Sequence, residues 1–101
     1  MSAKEIIGKL AEKPKSQIVE IGGGQIEIRR VTPTVAINAA AKAKDEGDAW
    51  LAELVAYSIA DGDERPLASP EGAEQIAALP PGDFLALAQA AMLVNGLDRG
   101  N

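Results

Sequence analysis

The sequence predicts an α+β domain that is mainly α, with an N-terminal β-hairpin followed by a bundle of about four helices. Three observations carry this expectation. A Gly22-Gly23-Gly24 run separates two short apolar-alternating stretches, as a hairpin turn would. Thr32-Pro33 and Ser69-Pro70 each place a capping residue before a proline, the usual opening of a helix. Large apolar residues then recur at helical spacing through most of the chain after position 49.

Taken in order, residues 3–12 bring Ile6, Ile7 and Leu10 to one side of a helix, with Ser2 available as N-cap and Pro14 as a stop. Residues 1–16 are therefore an N-terminal helical arm, ahead of a single domain over 17–97. In 25–31, Ile26 and Ile28 point one way and Glu27 and Arg29 the other, and 17–21 supplies the partner strand. The three glycines provide the positive φ angles that a tight reversal needs. A lone two-stranded hairpin is marginal in water, so its apolar face must lie on helices or on another chain's strands. Thr32-Pro33 opens an alanine-rich helix to about residue 46, which Gly47 ends, and Asp48 caps a helix over about 49–60. Residues 61–66 form a polar loop. Ser69-Pro70-Glu71 starts a short helix to about 79, and Pro80-Pro81-Gly82-Asp83 breaks the chain before a last helix over about 84–97. Residues 98–101 form a flexible tail.

A chain of 101 residues is about one domain. Its hydrophobic fraction is 47%, but much of this is alanine, and the aromatic residues are Trp50, Tyr57 and Phe84. The core is therefore thin, and burial against a second copy or a partner would help it. Cysteine and histidine are both absent, which removes disulfides, thiolate metal sites, the commonest zinc ligand and the commonest general base. The net charge of −5 is uneven. Residues 1–30 hold six Lys and Arg against four Glu, a net of +2; residues 31–101 hold four against eleven Asp and Glu, a net of −7. An acidic body repels phosphate backbones, so no nucleic acid is expected as partner. No membrane is expected either: the N-terminus has no signal-peptide apolar run, and the most apolar stretch, 84–97, is too short to span a bilayer. The expected location is a cytoplasm.

Residue constellations that resemble catalytic or metal sites have simpler readings. A phosphate-cradling glycine loop leads into a helix N-terminus, whereas a strand follows Gly24. Asp61, Asp63 and Glu64 lack the spacing of a calcium loop, because Gly72 occupies the twelfth position and Pro66 and Leu67 fall in the middle. Asp45, Glu46 and Asp48 cluster at a helix junction with no sign of the desolvation that acid–base work requires. Ser2, Ser16, Ser58 and Ser69 have no histidine to activate them. The expectation is a protein without catalytic residues, cofactor or metal.

The informative features are two apolar helices. Trp50, Leu51, Leu54, Val55, Tyr57 and Ile59 spread over roughly 200° of a wheel. In the last helix Phe84, Leu87, Ala91 and Val94 form one face, Leu85 and Met92 a second, and Leu93 and Leu97 a third. A helix that is apolar all round must be covered all round. It is either central in its own domain or offers one face to a partner or second copy. On the latter reading the face comprises Trp50, Leu54, Tyr57, Leu85, Met92, Leu93 and Leu97.

The order of features over about 17–97 resembles the tail assembly chaperones of long-tailed bacteriophages and prophages. An isoleucine- and glycine-rich hairpin leads into Arg29-Arg30-Val31-Thr32-Pro33. A later apolar helix ends in Ser58-Ile59 with Asp61, and an acidic loop runs over 61–66. Ser69-Pro70-Glu71 caps a helix, Leu79-Pro80 breaks it, and the last helix ends in Asn95-Gly96. The doubled Pro80-Pro81 and the triple glycine depart from the family pattern, both in loops. The resemblance implies a non-enzymatic, self-associating protein that binds the tape measure protein while the tail tube protein polymerises around it. It also implies action in the host cytoplasm and absence from the mature virion. In many members a frameshift adds a C-terminal domain to a minority of copies. The family has no fixed active site, so no individual residue role carries over. The alternative is a small intracellular protein-binding adaptor or antitoxin-like regulator, against which the acidic charge and compact helices speak.

Overall fold

The computed structural model describes residues 1–42 and 49–97. Its elements are α1 (Ala3–Ala11), β1 (Ser16–Ile21), β2 (Gly24–Arg29), α2 (Pro33–Lys42), α3 (Ala49–Ser58), β3 (Ile59–Ala60), α4 (Pro70–Ala77) and α5 (Pro81–Val94). The expected end of α2 near residue 46, the Gly47 stop, the Asp48 cap, the acidic trio Asp45, Glu46 and Asp48, and the tail 98–101 lie outside the described residues.

The hairpin forms where the alternation placed it. β1 and β2 are antiparallel with Ile21 opposite Gly24, so the turn is the two residues Gly22 and Gly23, with φ of 61° and 79°. Two successive positive φ angles match the right-handed twist of the flanking strands. The third glycine is not part of the turn, contrary to the expectation: Gly24 opens β2. The larger correction is at the end of α3. Residues 59–60 do not continue the helix but pair with β2, Ile59 opposite Ile28 and Ala60 opposite Glu27. The sheet is therefore three-stranded, in the order β1-β2-β3.

The expected bundle of about four helices is matched only loosely. α3 is the hub and packs against α2, α4, α5 and β2, while α5 lies across β1 and β2. The wheel explains both roles. α3 buries Ala52, Leu54, Val55, Ala56 and Ser58, and α5 buries Leu87, Ala88, Ala90, Ala91 and Val94. Small alanines on both helices allow close approach to the sheet, where Ile28 is fully buried. α4 begins with the cap expected of it, Gly72 N–H donating to Ser69 Oγ at 3.0 Å. A Cβ at Gly72 would run into the Leu67 backbone carbonyl, so this helix start tolerates only glycine.

α5 starts three residues earlier than expected, with Pro81 as its first residue rather than as a breaker. It ends at Val94 in a Schellman motif: Leu97 N–H donates to Met92 O at 2.8 Å and Gly96 N–H to Leu93 O at 3.1 Å. Gly96, at φ 71°, is the left-handed residue this ending requires.

Candidate functional site

Two kinds of surface remain once the core is formed: a polar seam that is internally satisfied and an apolar surface that is not. The seam joins the ends of β2, α3 and α5. The Asn95 side chain accepts from Val31 N–H at 2.9 Å and donates to Ser58 Oγ at 3.1 Å and to Ala91 O at 2.7 Å. Ser58 is fully buried, so its role is to receive this bond. Arg30 donates to Val94 O at 3.0 Å, one of the carbonyls that a helix end leaves without an internal partner. That bond comes from Nε, and Nη2 donates to Lys13 O and Pro14 O at 2.8 and 3.1 Å. Arg65 reaches inward from the acidic loop to Tyr57 O at 2.8 Å and Arg30 O at 3.1 Å. It can do so because Asp61 and Glu64 close a tight reversal through mutual backbone bonds of 2.9 and 3.0 Å, with Gly62 at φ 64°. The carboxylates of that loop are exposed, as expected, but the loop is a turn that aims an arginine.

Sequence reasoning placed Arg30 in the Arg29–Pro33 run and Arg65 in the polar loop but gave neither a role. The one signal pointing to Arg30 was that it is a cation next to an element end, where carbonyls lack partners; Arg65, in the middle of the loop between β3 and α4, gave no such signal.

The apolar surface has two parts. α1 is well made locally: Ser2 and Glu5 form a reciprocal capping box, with Glu5 N–H donating to Ser2 Oγ and Ser2 N–H to Glu5 Oε1, each at 3.2 Å. Nevertheless it buries no residue, and Ile6, Ile7 and Leu10 are 44%, 63% and 48% exposed. A helix of 9 residues is too short to be stable on propensity alone, so its apolar stripe calls for something to lie on.

The second part is formed by α5 and β1. Leu85 and Leu93 stand out from α5 with the exposed Gln89 between them, and Leu97 follows beyond the helix end. Spacing by four places Leu85, Gln89 and Leu93 on one stripe of the helix. Beside it runs the β1 edge of the sheet, which no strand among the described residues pairs with. The Ile21–Gly24 pair closes the hairpin, and Arg30 N–H donates to Lys15 O at 2.8 Å at its other end. Alternation between these points turns the backbone N–H and C=O groups of Ser16, Ile18 and Glu20 away from β2. A groove of about 650 Å³ lies between this edge and α5, lined by residues 17–20 and by Ala86, Gln89, Met92 and Leu93. Ile18, half exposed, sits on its rim.

The seven residues expected on one partner face are thus divided. Leu54 is 1% exposed and belongs to the core, which corrects its placement on such a face. Trp50 and Tyr57 are half-buried and pack against the core cluster. Leu85, Leu93 and Leu97 are exposed, and Met92 is half-buried in the groove wall. The wheel could not separate them, because α3 is enclosed by three helices and the sheet while α5 is covered on one side.

Among the described residues no helix is long and apolar enough to cross a membrane. Among the same residues no group of three or more carboxylates is placed to hold a metal ion. Comparison with protein-family models, curated proteins and solved structures finds no match to this chain.

Proposed function

We propose that this protein is a non-enzymatic tail assembly chaperone that binds the tape measure protein and promotes tail tube assembly. The observation supporting this reading is the apolar surface left over after folding: a capped helix that buries nothing and an apolar stripe beside an open strand edge. A long, aggregation-prone client needs its apolar segments covered without being locked into a fold. Leucines and isoleucines on an unpacked helix and on a helix rim offer such cover, because apolar burial is non-directional and tolerates many sequences. The same surfaces suit self-association. The order of hairpin, capped helices and Asn95-Gly96 ending is what ties this binding chemistry to phage tails. On this reading the protein acts in the host cytoplasm and leaves before the virion is complete.

Co-expression with a tape measure fragment tests the proposal. The fragment is expected to stay soluble with this chain and to precipitate without it; equal precipitation in both cases overturns the reading. Purified protein is also expected to scatter light as more than a monomer at tens of micromolar.

A further inference from the structure

We infer that the trough between the end of β2, the start of α2 and Arg65 is a binding site for an acidic peptide segment that carries apolar side chains. The trough holds about 580 Å³ and is open to solvent along one side. Its lining includes Lys15, Arg29, Arg30 and Arg65, four of the ten cationic residues in a chain of net charge −5, and among the described residues no acidic one. Glu27 pairs with Arg29 at 2.9 Å and offsets that charge. Arg30 and Arg65 direct their hydrogen bonds to main-chain carbonyls, which hold the guanidinium groups in place without neutralising them. Lys15 is exposed at the rim. Two positive charges are thus fixed around one cavity, with a third at its rim, in a protein that is otherwise acidic.

The N-terminus of α2 adds to this field. Thr32 and Val35 line the trough, and Thr32 Oγ1 accepts from Val35 N–H at 3.3 Å, so the first turn of a helix of 10 residues adjoins the cavity. Helix N-termini favour negative charge. The rest of the wall is apolar: Val31, Val35, Tyr57 and Ala68. The volume falls within the roughly 300–1,000 Å³ of organic ligand sites and is far larger than an inorganic anion fills. Charge complementarity therefore selects a carboxylate-bearing ligand, and the apolar wall selects one with hydrophobic bulk between its carboxylates. The open side suits a continuous chain better than a small molecule, which binds by enclosure. This site shares no lining residue with the groove between β1 and α5, and its existence does not depend on the chaperone reading.

The test is a titration of ¹⁵N-labelled full-length protein with a capped octapeptide of alternating glutamate and leucine, followed by amide shifts. Shifts are expected at Lys15, at 29–35, at Tyr57 and at 65–68, with a dissociation constant below about 1 mM. Binding is expected to weaken with added salt, and the lysine–leucine analogue is expected not to bind. Arg65→Gln would remove part of the seam and risk unfolding, so the variants are Lys15→Glu and Ala68→Glu, both at exposed positions. Each is expected to weaken binding roughly two- to five-fold while leaving the rest of the spectrum unchanged. No shift in the trough at millimolar peptide overturns the inference. Equal shifts from inorganic phosphate would mark a simple anion site, and stronger binding of an oligonucleotide of equal charge would mark a nucleic-acid site; either overturns it. Shifts in the trough that depend on protein concentration alone assign it to a second copy, which also overturns it.

Discussion

The first helix and the last helix both carry exposed large apolar side chains, yet only one of them is part of the folded body. α1 has the better local credentials: a reciprocal capping box, an acidic residue in its first turn and a basic one in its last. α5 begins at a proline with no side-chain cap. What α5 has instead is tertiary fit, with five buried residues, a Schellman ending, and Arg30 and Asn95 joining its last turn to β2 and α3. Local capping decides where a helix starts and stops. Whether it has a fixed place depends on burial, which α1 lacks.

Substitutions sharpen this contrast, and the largest effect belongs to the best-fitted region. Gly72→Ala puts a methyl group into the Leu67 backbone and is expected to cost at least about 3 kcal/mol, the upper end of overpacking effects, read as a fall in denaturant midpoint. A loss below about 1 kcal/mol, close to the scale of a surface change, means that the loop moves aside. Asn95→Ala leaves the Val31 N–H and the buried Ser58 hydroxyl without their partner and is expected to cost about 1–3 kcal/mol. If Asn95→Ala is neutral by thermal unfolding, the seam is not what joins α5 to β2.

The apolar surface is expected to respond in the opposite way. Leu85→Glu with Leu93→Glu is expected to change stability by no more than about 0.5 kcal/mol per site while reducing self-association and client solubilisation. A large stability loss, seen in the same denaturant titration, would show that the stripe is packed in the folded chain. The smallest global effect is expected from the arm. Ser2→Ala removes a cap contributing about 1 kcal/mol to α1, yet the unfolding midpoint of the body is expected to stay where it is. Amide exchange should then speed up in 3–11 and nowhere else; faster exchange in α5 would show that the arm is coupled to the body after all.

Much of this was legible in the chain, and the misses share a cause. The Ser2 cap, the Thr32-Pro33 and Ser69-Pro70 starts and the Ile26–Arg29 alternation are local signals, read within a few residues, and they hold in the structure. Residues 59–60 fit the helical wheel of α3 equally well as helix or strand, and only the presence of β2 alongside drew them into the sheet. Leu54 and Leu93 are the same residue type on helices of similar composition. One is enclosed and the other exposed because of what packs around each helix, not because of its neighbours in sequence.

The sequence by itself determined the hairpin, the starts of α1, α2 and α4, the acidic body and the surplus of apolar helix surface, since each follows from backbone preference, periodicity or charge. Tertiary structure alone decided which apolar residues are surplus and what the polar ones are for. Arg30, Ser58, Arg65 and Asn95 are 64 positions apart at the extreme contacts they make, yet they meet at one seam. The physical reason is that buried carbonyls and amides must find partners wherever the fold brings their elements together. That requirement acts between distant segments, and no local pattern along the chain records it.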